Sequence, residues 1–267
     1  MTPENYIEIN RNAWNNKVGH HLKSEFYFVD EFVAGRTSLN SIELELLGDI
    51  KDKKVLHLQC HFGQDSISLS RMGAIVTGID LSDKAIEAAA ELASKCGTKT
   101  RFVVSDVYEL PELLDGKFDI VYTSYGTIGW LPDLDKWANV ISHFLMPGGR
   151  FIFVEFHPFV WMFDDEFTHI QYSYFNEEAI SETYEGTYAD QSAELVQQEV
   201  SWNHPTSEVF TSLINANMEL LSFREYNWSP YACFRHNEEF EPGKFRIPQL
   251  GGKAPHIFSL VAQKKAE

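Results

Sequence analysis

The sequence predicts an α/β fold: a mostly parallel sheet with helices on both faces, carrying a small antiparallel insertion. Two observations lead there. Between residues 52 and 158, short apolar runs alternate with segments whose apolar residues recur at helical spacing, the pattern of strands joined by crossover helices. From residue 157 the runs become polar and aromatic with partial alternation, which suits antiparallel strands with one face toward water. At 267 residues, 44% of them hydrophobic, the chain is long enough to bury one substantial core.

Each element has its own signal. Residues 1–48, containing "NYIEINRNAWNNKVGHHLKSEFYF", read as a helix and connecting segment ahead of the sheet. "KVLHLQC" is the first strand and a helix follows over about residues 64–72; "AIVTGID" is the second, ending at Asp80. The next helix places Ile86, Ala89 and Leu92 or Ala93 on one face, with Ser82 as N-cap. "TRFVVSD" is the third strand, ending at Asp106, and "KFDIVYTS" the fourth. Leu134, Trp137 or Ala138, Ile141 and Leu145 then recur at helical spacing until "MPGG" stops the helix, and "RFIFVEF" is the fifth strand. "THIQYSYF", "ISETYEGTY" and "LVQQEVSW" form the antiparallel insertion, a cap over residues 157–204. A helix over about residues 205–217 returns the chain to the sheet, where "ELLSFREYNW" and "HIFSLVAQKK" flank a loop rich in Pro and Gly. One domain results, with residues 49–156 as its core and 205–267 completing it.

Charge and composition narrow the function. Twenty-two Lys and Arg face 39 Asp and Glu, a formal net charge of −17, so a nucleic-acid backbone is repelled over most of the surface. Cys60, Cys96 and Cys233 are odd in number and widely spaced, which favours neither a disulfide framework nor a zinc site. The ten histidines include no H-E-x-x-H, and neither G-x-S-x-G nor G-x-x-x-x-G-K-[ST] occurs; no metal is expected. The start "MTPENYIEINR" lacks a basic-then-apolar leader and no apolar run approaches a membrane span. The expectation is a soluble, cytoplasmic monomer or homodimer that acts on a small molecule, without nucleic acid or membrane.

"VLHLQCHFGQDSISL" crosses from the first strand into the first helix. Placing the dinucleotide pattern G-x-G-x-x-G from residue 59 gives Gln59, His61 and Gln64, with no glycine matched. A pyrophosphate needs those glycines for close approach to the helix start. In order of elements, roughly from Lys51 to Lys264, the chain resembles the class I S-adenosylmethionine-dependent methyltransferases, whose Rossmann-like sheet has seven strands with the last antiparallel. That family's first motif, D-x-G-x-G-x-G, falls here on His57, Gln59, His61 and Gly63. Only the last glycine is kept, and "HLQCH" followed by a glycine is similar to a variant branch of the family. S-adenosylmethionine carries no phosphate, so its amino-acid end tolerates a bulkier turn.

The resemblance implies roles for particular residues. Gln59, Cys60, His61 and Gly63 would border the cofactor. Asp80 would accept the ribose hydroxyls, with Leu81 and Ser82 beside it, since a carboxylate at a strand's carboxyl end is a two-oxygen acceptor placed at the ligand edge. Asp106 and the amide of Val107 would meet the adenine. Ser124 and Tyr125 would face the sulfonium, Tyr125 also serving catalysis, while Thr127 and Trp130 approach the acceptor; an aromatic face stabilises a cationic sulfonium. Trp14, His21, Ser24 and Tyr27 lie in a segment that resembles the family's lid. His157 and His204 are either general bases for a hydroxyl or protonated amine, or structural histidines. The expected activity is in-line transfer of the methyl group of S-adenosylmethionine to a small molecule. The rival readings are a protein that binds S-adenosylmethionine without transferring its methyl, and an oxidoreductase using NAD or NADP.

Overall fold

In the computed structural model, which describes residues 3–266, three helices precede the sheet: α1 (Tyr6–His21), α2 (Val29–Val33) and α3 (Ser41–Leu47). β1 (Lys54–His57), α4 (Gln64–Arg71), β2 (Ile75–Asp80), α5 (Asp83–Lys95), β3 (Arg101–Val104), α6 (Leu110–Leu113), β4 (Phe118–Ser124), α7 (Leu134–Phe144) and β5 (Leu145–Phe156) follow. The remainder comprises β6 (Ile180–Glu185), β7 (Val196–Ser201), α8 (Thr206–Asn215), β8 (Met218–Tyr226), β9 (Glu238–Glu241), β10 (Lys244–Arg246) and β11 (Ile257–Lys264).

Seven strands form one sheet in the order β3-β2-β1-β4-β5-β11-β8. β1 pairs in parallel with β2 and β4, β2 with β3, and β4 with β5. β11 is antiparallel to both of its neighbours, β5 and β8. The chain winds outward from β1 in one direction and from β4 in the other, so the crevice between their carboxyl ends is the ligand position of such sheets. The expected fold class is therefore observed.

Apolar residues on both faces of the central strands explain the layers. On one face, Trp137 and Phe144 of α7 pack against Phe151, Phe153 and Phe258. On the other, Leu47 and Ile50 meet Val55, Val76, Tyr122 and Ile152. Ser82 caps α5 by accepting from the Ala85 amide, and the buried face of α5 carries Ala85, Ile86, Ala89, Leu92 and Ala93. Leu145, expected at the end of α7, instead has extended backbone and begins β5, so "MPGG" is drawn into the strand.

The insertion differs more. β6 and β7 pair antiparallel, but "THIQYSYF" is no strand: the amides of Gln171 and Tyr172 both donate to the Met162 carbonyl, and the Asp164 carboxylate takes the amides of Thr168 and His169. Those local bonds curl the segment back on itself. The Pro- and Gly-rich loop contains a further pair, β9–β10. Among the described residues no helix is long and apolar enough to cross a membrane.

Candidate functional site

The turn between β1 and α4 has left-handed backbone at every second residue: φ is +53° at Gln59, +50° at His61 and +79° at Gly63. These are the positions at which the motif carries glycine, so the turn keeps a glycine-like backbone while bearing side chains. A left-handed non-glycine residue costs about 1 kcal/mol or more, and local bonds offset it. Gln59 Nε2 donates to the Thr127 carbonyl at 2.8 Å, and the His61 amide donates to Asp80 Oδ2 at 2.8 Å. Gly63 is required for space as well as φ, because a Cβ there would lie 2.7 Å from the Phe102 ring.

His61 Nε2 meets His21 Nδ1 at 2.8 Å. Burial holds both rings neutral, with the His21 pKa pushed down to about 3 and that of His61 well below its usual value. Their outer nitrogens, His21 Nε2 and His61 Nδ1, are buried without a partner, as is Gln59 Oε1. A buried orphan costs about 1–3 kcal/mol, and Gln59 and His61 both border the cavity described below.

Asp80 ends β2, its Oδ1 taking the Ser82 amide at 2.8 Å. Burial pushes its pKa up to about 6, against the pull of the Ser82 and His61 amides. Asp106, after β3, accepts from the Tyr108 amide at 2.6 Å and is likewise raised by burial. Beyond β4, Tyr125 (φ +49°) and Gly126 (φ +75°) turn the chain. Glu155, 1% exposed, gathers that turn: its carboxylate accepts from the amides of Gly126, Thr127, Ile128 and Phe156 and from the Thr127 hydroxyl. Trp14 of α1 sets its ring edge to face against His61 and Trp130, at 5.3 and 5.4 Å. Lys17 lies 4.4 Å from the Trp14 ring centre and pairs with Glu199 of β7 at 2.6 Å.

One cavity of about 1500 Å³ runs past these groups, larger than the roughly 300–1,000 Å³ usual for one small ligand. It has room for two. Of the residues expected from the sequence to bind the cofactor, Trp14, Gln59, Cys60, His61, Gly63, Asp80, Leu81, Asp106, Val107, Ser124 and Tyr125 border this cavity.

Four expected residues do not border it. His21 backs His61, Ser24 spends its hydroxyl on the His21 carbonyl at the end of α1, and Ser82 faces Asn15 and its own helix. His157 turns toward β8: Nε2 meets Glu225 Oε1 at 3.0 Å and Nδ1 accepts from the Phe159 amide at 3.1 Å. His204 does border the cavity, but its ring is engaged at both nitrogens, 3.0 Å from Glu208 Oε2 and 2.8 Å from the Leu131 carbonyl. Both ring nitrogens of each histidine are thus engaged within the protein.

The sequence reading missed Glu43, Asn40, Glu155, Lys17, Glu199 and Tyr231. A carboxylate inside the apolar run "FIFVEF" was a signal for Glu155, since an acid there is buried and must be partnered. "NSIE" has capping-box spacing, which the structure shows at Asn40 and Glu43.

Residues 55–149 match the family described as a methyltransferase domain, and the fold is that of S-adenosylmethionine-dependent methyltransferases. It is 32% identical over 133 residues to an uncharacterized methyltransferase of Synechocystis sp., covering 49% of this chain and 60% of that protein. To a ubiquinone biosynthesis O-methyltransferase of Bordetella avium it is 31% identical over 109 residues, 41% of this chain and 45% of the other. The chain thus spans at most 60% of the length of these two relatives. Among solved structures it is similar to a putative S-adenosylmethionine dependent methyltransferase from Listeria monocytogenes, with a TM-score of 0.61, 18% identity, and 84% of this chain and 96% of that one covered.

Proposed function

We propose that the protein transfers the methyl group of S-adenosylmethionine to a small-molecule acceptor. The observation that carries this reading is the turn at Gln59, His61 and Gly63, which keeps a glycine-like backbone beside two strand-end carboxylates, Asp80 and Asp106, on one cavity. That donor and acceptor set fits a nucleoside bearing an amino acid. Asp80 has lone pairs left for two ribose hydroxyls, Asp106 and the Val107 amide would take adenine, and the orphaned Gln59 Oε1 and His61 Nδ1 offer polar atoms on the turn. Bound S-adenosylmethionine supplies a methyl group already activated on a sulfonium. The chain's own task is then positioning and exclusion of water.

In this reading residues 1–48 serve as a lid and residues 157–204 as a cap, joined by the Lys17–Glu199 pair and by Asn10, which bonds both ways to the Val200 backbone. The three free thiols suit a reducing cytoplasm. Amide exchange across residues 5–27 is expected to slow when S-adenosylhomocysteine is added; indifference there would remove the lid. His157→Asn and His204→Asn are each expected to lower the melting temperature, by about 1–3 kcal/mol of stability, with S-adenosylhomocysteine affinity within about twofold of the parent. A loss of affinity without a change in melting would return either histidine to the site.

Calorimetry decides the main reading. S-adenosylhomocysteine is expected to bind with a micromolar or tighter constant, about 8 kcal/mol, and reduced nicotinamide dinucleotide not at all. Tight dinucleotide binding in place of S-adenosylhomocysteine would overturn it.

A further inference from the structure

Beyond the turn, the cavity continues into a chamber walled by aromatic rings. Phe156 packs on Tyr125 at 5.7 Å, Trp161 at 5.6 Å and Phe234 at 5.2 Å, and Tyr231 stands edge-on to Tyr125 at 4.9 Å. All five border the cavity. At the polar end of this chamber, four residues form a hydrogen-bonded chain with a definite direction. The Tyr125 hydroxyl donates to Glu43 Oε2 at 2.9 Å. Asn40 Nδ2 donates to Glu43 Oε1 at 3.1 Å and to the Tyr231 hydroxyl at 2.9 Å.

That direction fixes what each phenol has left. An amide NH₂ has no lone pair to accept with, so Tyr231 is the acceptor in its bond to Asn40 and keeps its own proton to give. Tyr125 has given its proton to the carboxylate and keeps its lone pairs. Two phenols on one chamber therefore offer one acceptor and one donor. Glu43 is buried and does not border the cavity; it reaches it through Tyr125, whose proton it takes, and through Asn40. A carboxylate behind a phenol is a proton sink that a neutral amine, attacking through its lone pair, would not need.

We propose that this chamber binds a hydroxylated aromatic ring as methyl acceptor, its reacting hydroxyl donating to Tyr125 and a neighbouring oxygen accepting from Tyr231, with Glu43 as the positioning residue that draws the proton away. The proposal rests on the methyl-transfer reading. On transfer, the bond from sulfur to methyl breaks and the bond from methyl to the acceptor oxygen forms. The hydroxyl proton passes to the Tyr125 oxygen as the Tyr125 proton passes to the Glu43 carboxylate, leaving S-adenosylhomocysteine, an aryl methyl ether and a protonated Glu43 that returns its proton to solvent after release.

The groups facing Glu43 set its titration. Burial and the charge of Asp65 on α4 push its pKa up to about 7, opposed by the bonds from Asn40 and Tyr125. Tyr122 and Tyr231 are the other titratable neighbours, both raised by burial and so neutral. Arg150 is spent on the carbonyls of Leu46 and Leu47 at the far end of α3. Protonated Glu43 no longer holds the Tyr125 proton, so ring binding should strengthen as pH rises through about 7.

The test uses the full chain saturated with S-adenosylhomocysteine, and catechol as probe, titrated by calorimetry between about pH 5.5 and 8.5, below catechol ionisation. Catechol should bind at least tenfold more tightly than 1,2-dimethoxybenzene, which lacks the proton for Tyr125. Tyr125→Phe and Tyr231→Phe should each lose about tenfold in catechol affinity. Glu43→Gln keeps the capping-box role, since Gln serves there as well as Glu. It should therefore fold and lose the rise in affinity through about pH 7, a feature that a purely structural residue would not control. Absence of catechol binding, equal binding of the dimethyl ether, or an unchanged pH profile in Glu43→Gln would overturn the proposal. Failure of S-adenosylhomocysteine to bind in the first step would overturn the methyl-transfer reading instead, and the proposal with it.

Discussion

Replacing Asp80 with alanine is expected to weaken S-adenosylmethionine binding about a hundredfold, close to 3 kcal/mol. Two losses combine. The ligand loses charge-assisted hydrogen bonds worth about 1.5–3 kcal/mol. The turn loses the acceptor that holds the His61 amide at 2.8 Å, and α5 the one that holds the Ser82 amide, so two elements bordering the ligand loosen. Asp80→Asn separates these effects, because an amide keeps one acceptor oxygen but turns its NH₂ toward one of those two donors; an intermediate loss is expected. Unchanged affinity in Asp80→Ala would take the residue out of the site.

Acid should act through the same carboxyl. Its folded pKa of about 6 lies above the ordinary 3.8, so the folded chain holds this proton more tightly than the unfolded one. Its contribution thus favours folding at low pH and is lost as pH rises from about 4 to 6. Ligand hydroxyls donating to the carboxylate reverse the preference. Binding should then release a proton in that window, and affinity should fall as pH drops below about 6. Comparing binding heats in buffers of different ionisation enthalpy measures the release, which Asp80→Asn should abolish.

The parallel half of the sheet was legible because its inner strands β1, β2 and β4 are largely buried on both faces, and even the half-exposed edge strand β3 carries Phe102, Val103 and Val104, so each reads as an apolar run closed by a polar residue. The closing residue of such a run lies at the carboxyl edge by construction, and that is why Asp80 and Asp106 could be picked out. The same rule misled at His157. Standing after a strand gives nearness to the edge, not the direction of the ring, which here turns to Glu225 on β8. Lys17 with Glu199, and Glu43 with Tyr125, join segments far apart in sequence. No local pattern brings such partners together; the positions of α1 and α3 over the sheet do. At Gln59 and His61 the sequence suggested a departure from a glycine-rich turn, and the backbone shows that only the side chains depart.

Glu155→Ala should be the most destabilising single change near the site. Five donors converge on this one buried carboxylate, with Thr127 N and Oγ1 both at 2.7 Å and Ile128 N at 3.3 Å from Oε2, and Phe156 N at 2.7 Å and Gly126 N on Oε1. Burial still pushes its carboxyl above the usual range despite those donors, a measure of how completely water is excluded. Alanine would leave the donors facing a void, each at about 1–3 kcal/mol before the loop relaxes. A net loss of about 3–5 kcal/mol is expected, a fall of roughly 10 °C in melting temperature for a chain of this size. Glu155→Gln keeps the shape but presents two hydrogens to donors on one side, so about half that fall is expected. The loop held by Glu155 also carries the Thr127 carbonyl that anchors Gln59 and the Gly126 carbonyl that takes the Trp130 indole. Glu155→Gln should therefore weaken S-adenosylhomocysteine binding even at temperatures where it is fully folded. A melting temperature within about 1 °C of the parent in both variants would mean that the loop finds other acceptors, and that Glu155 does not organise the site.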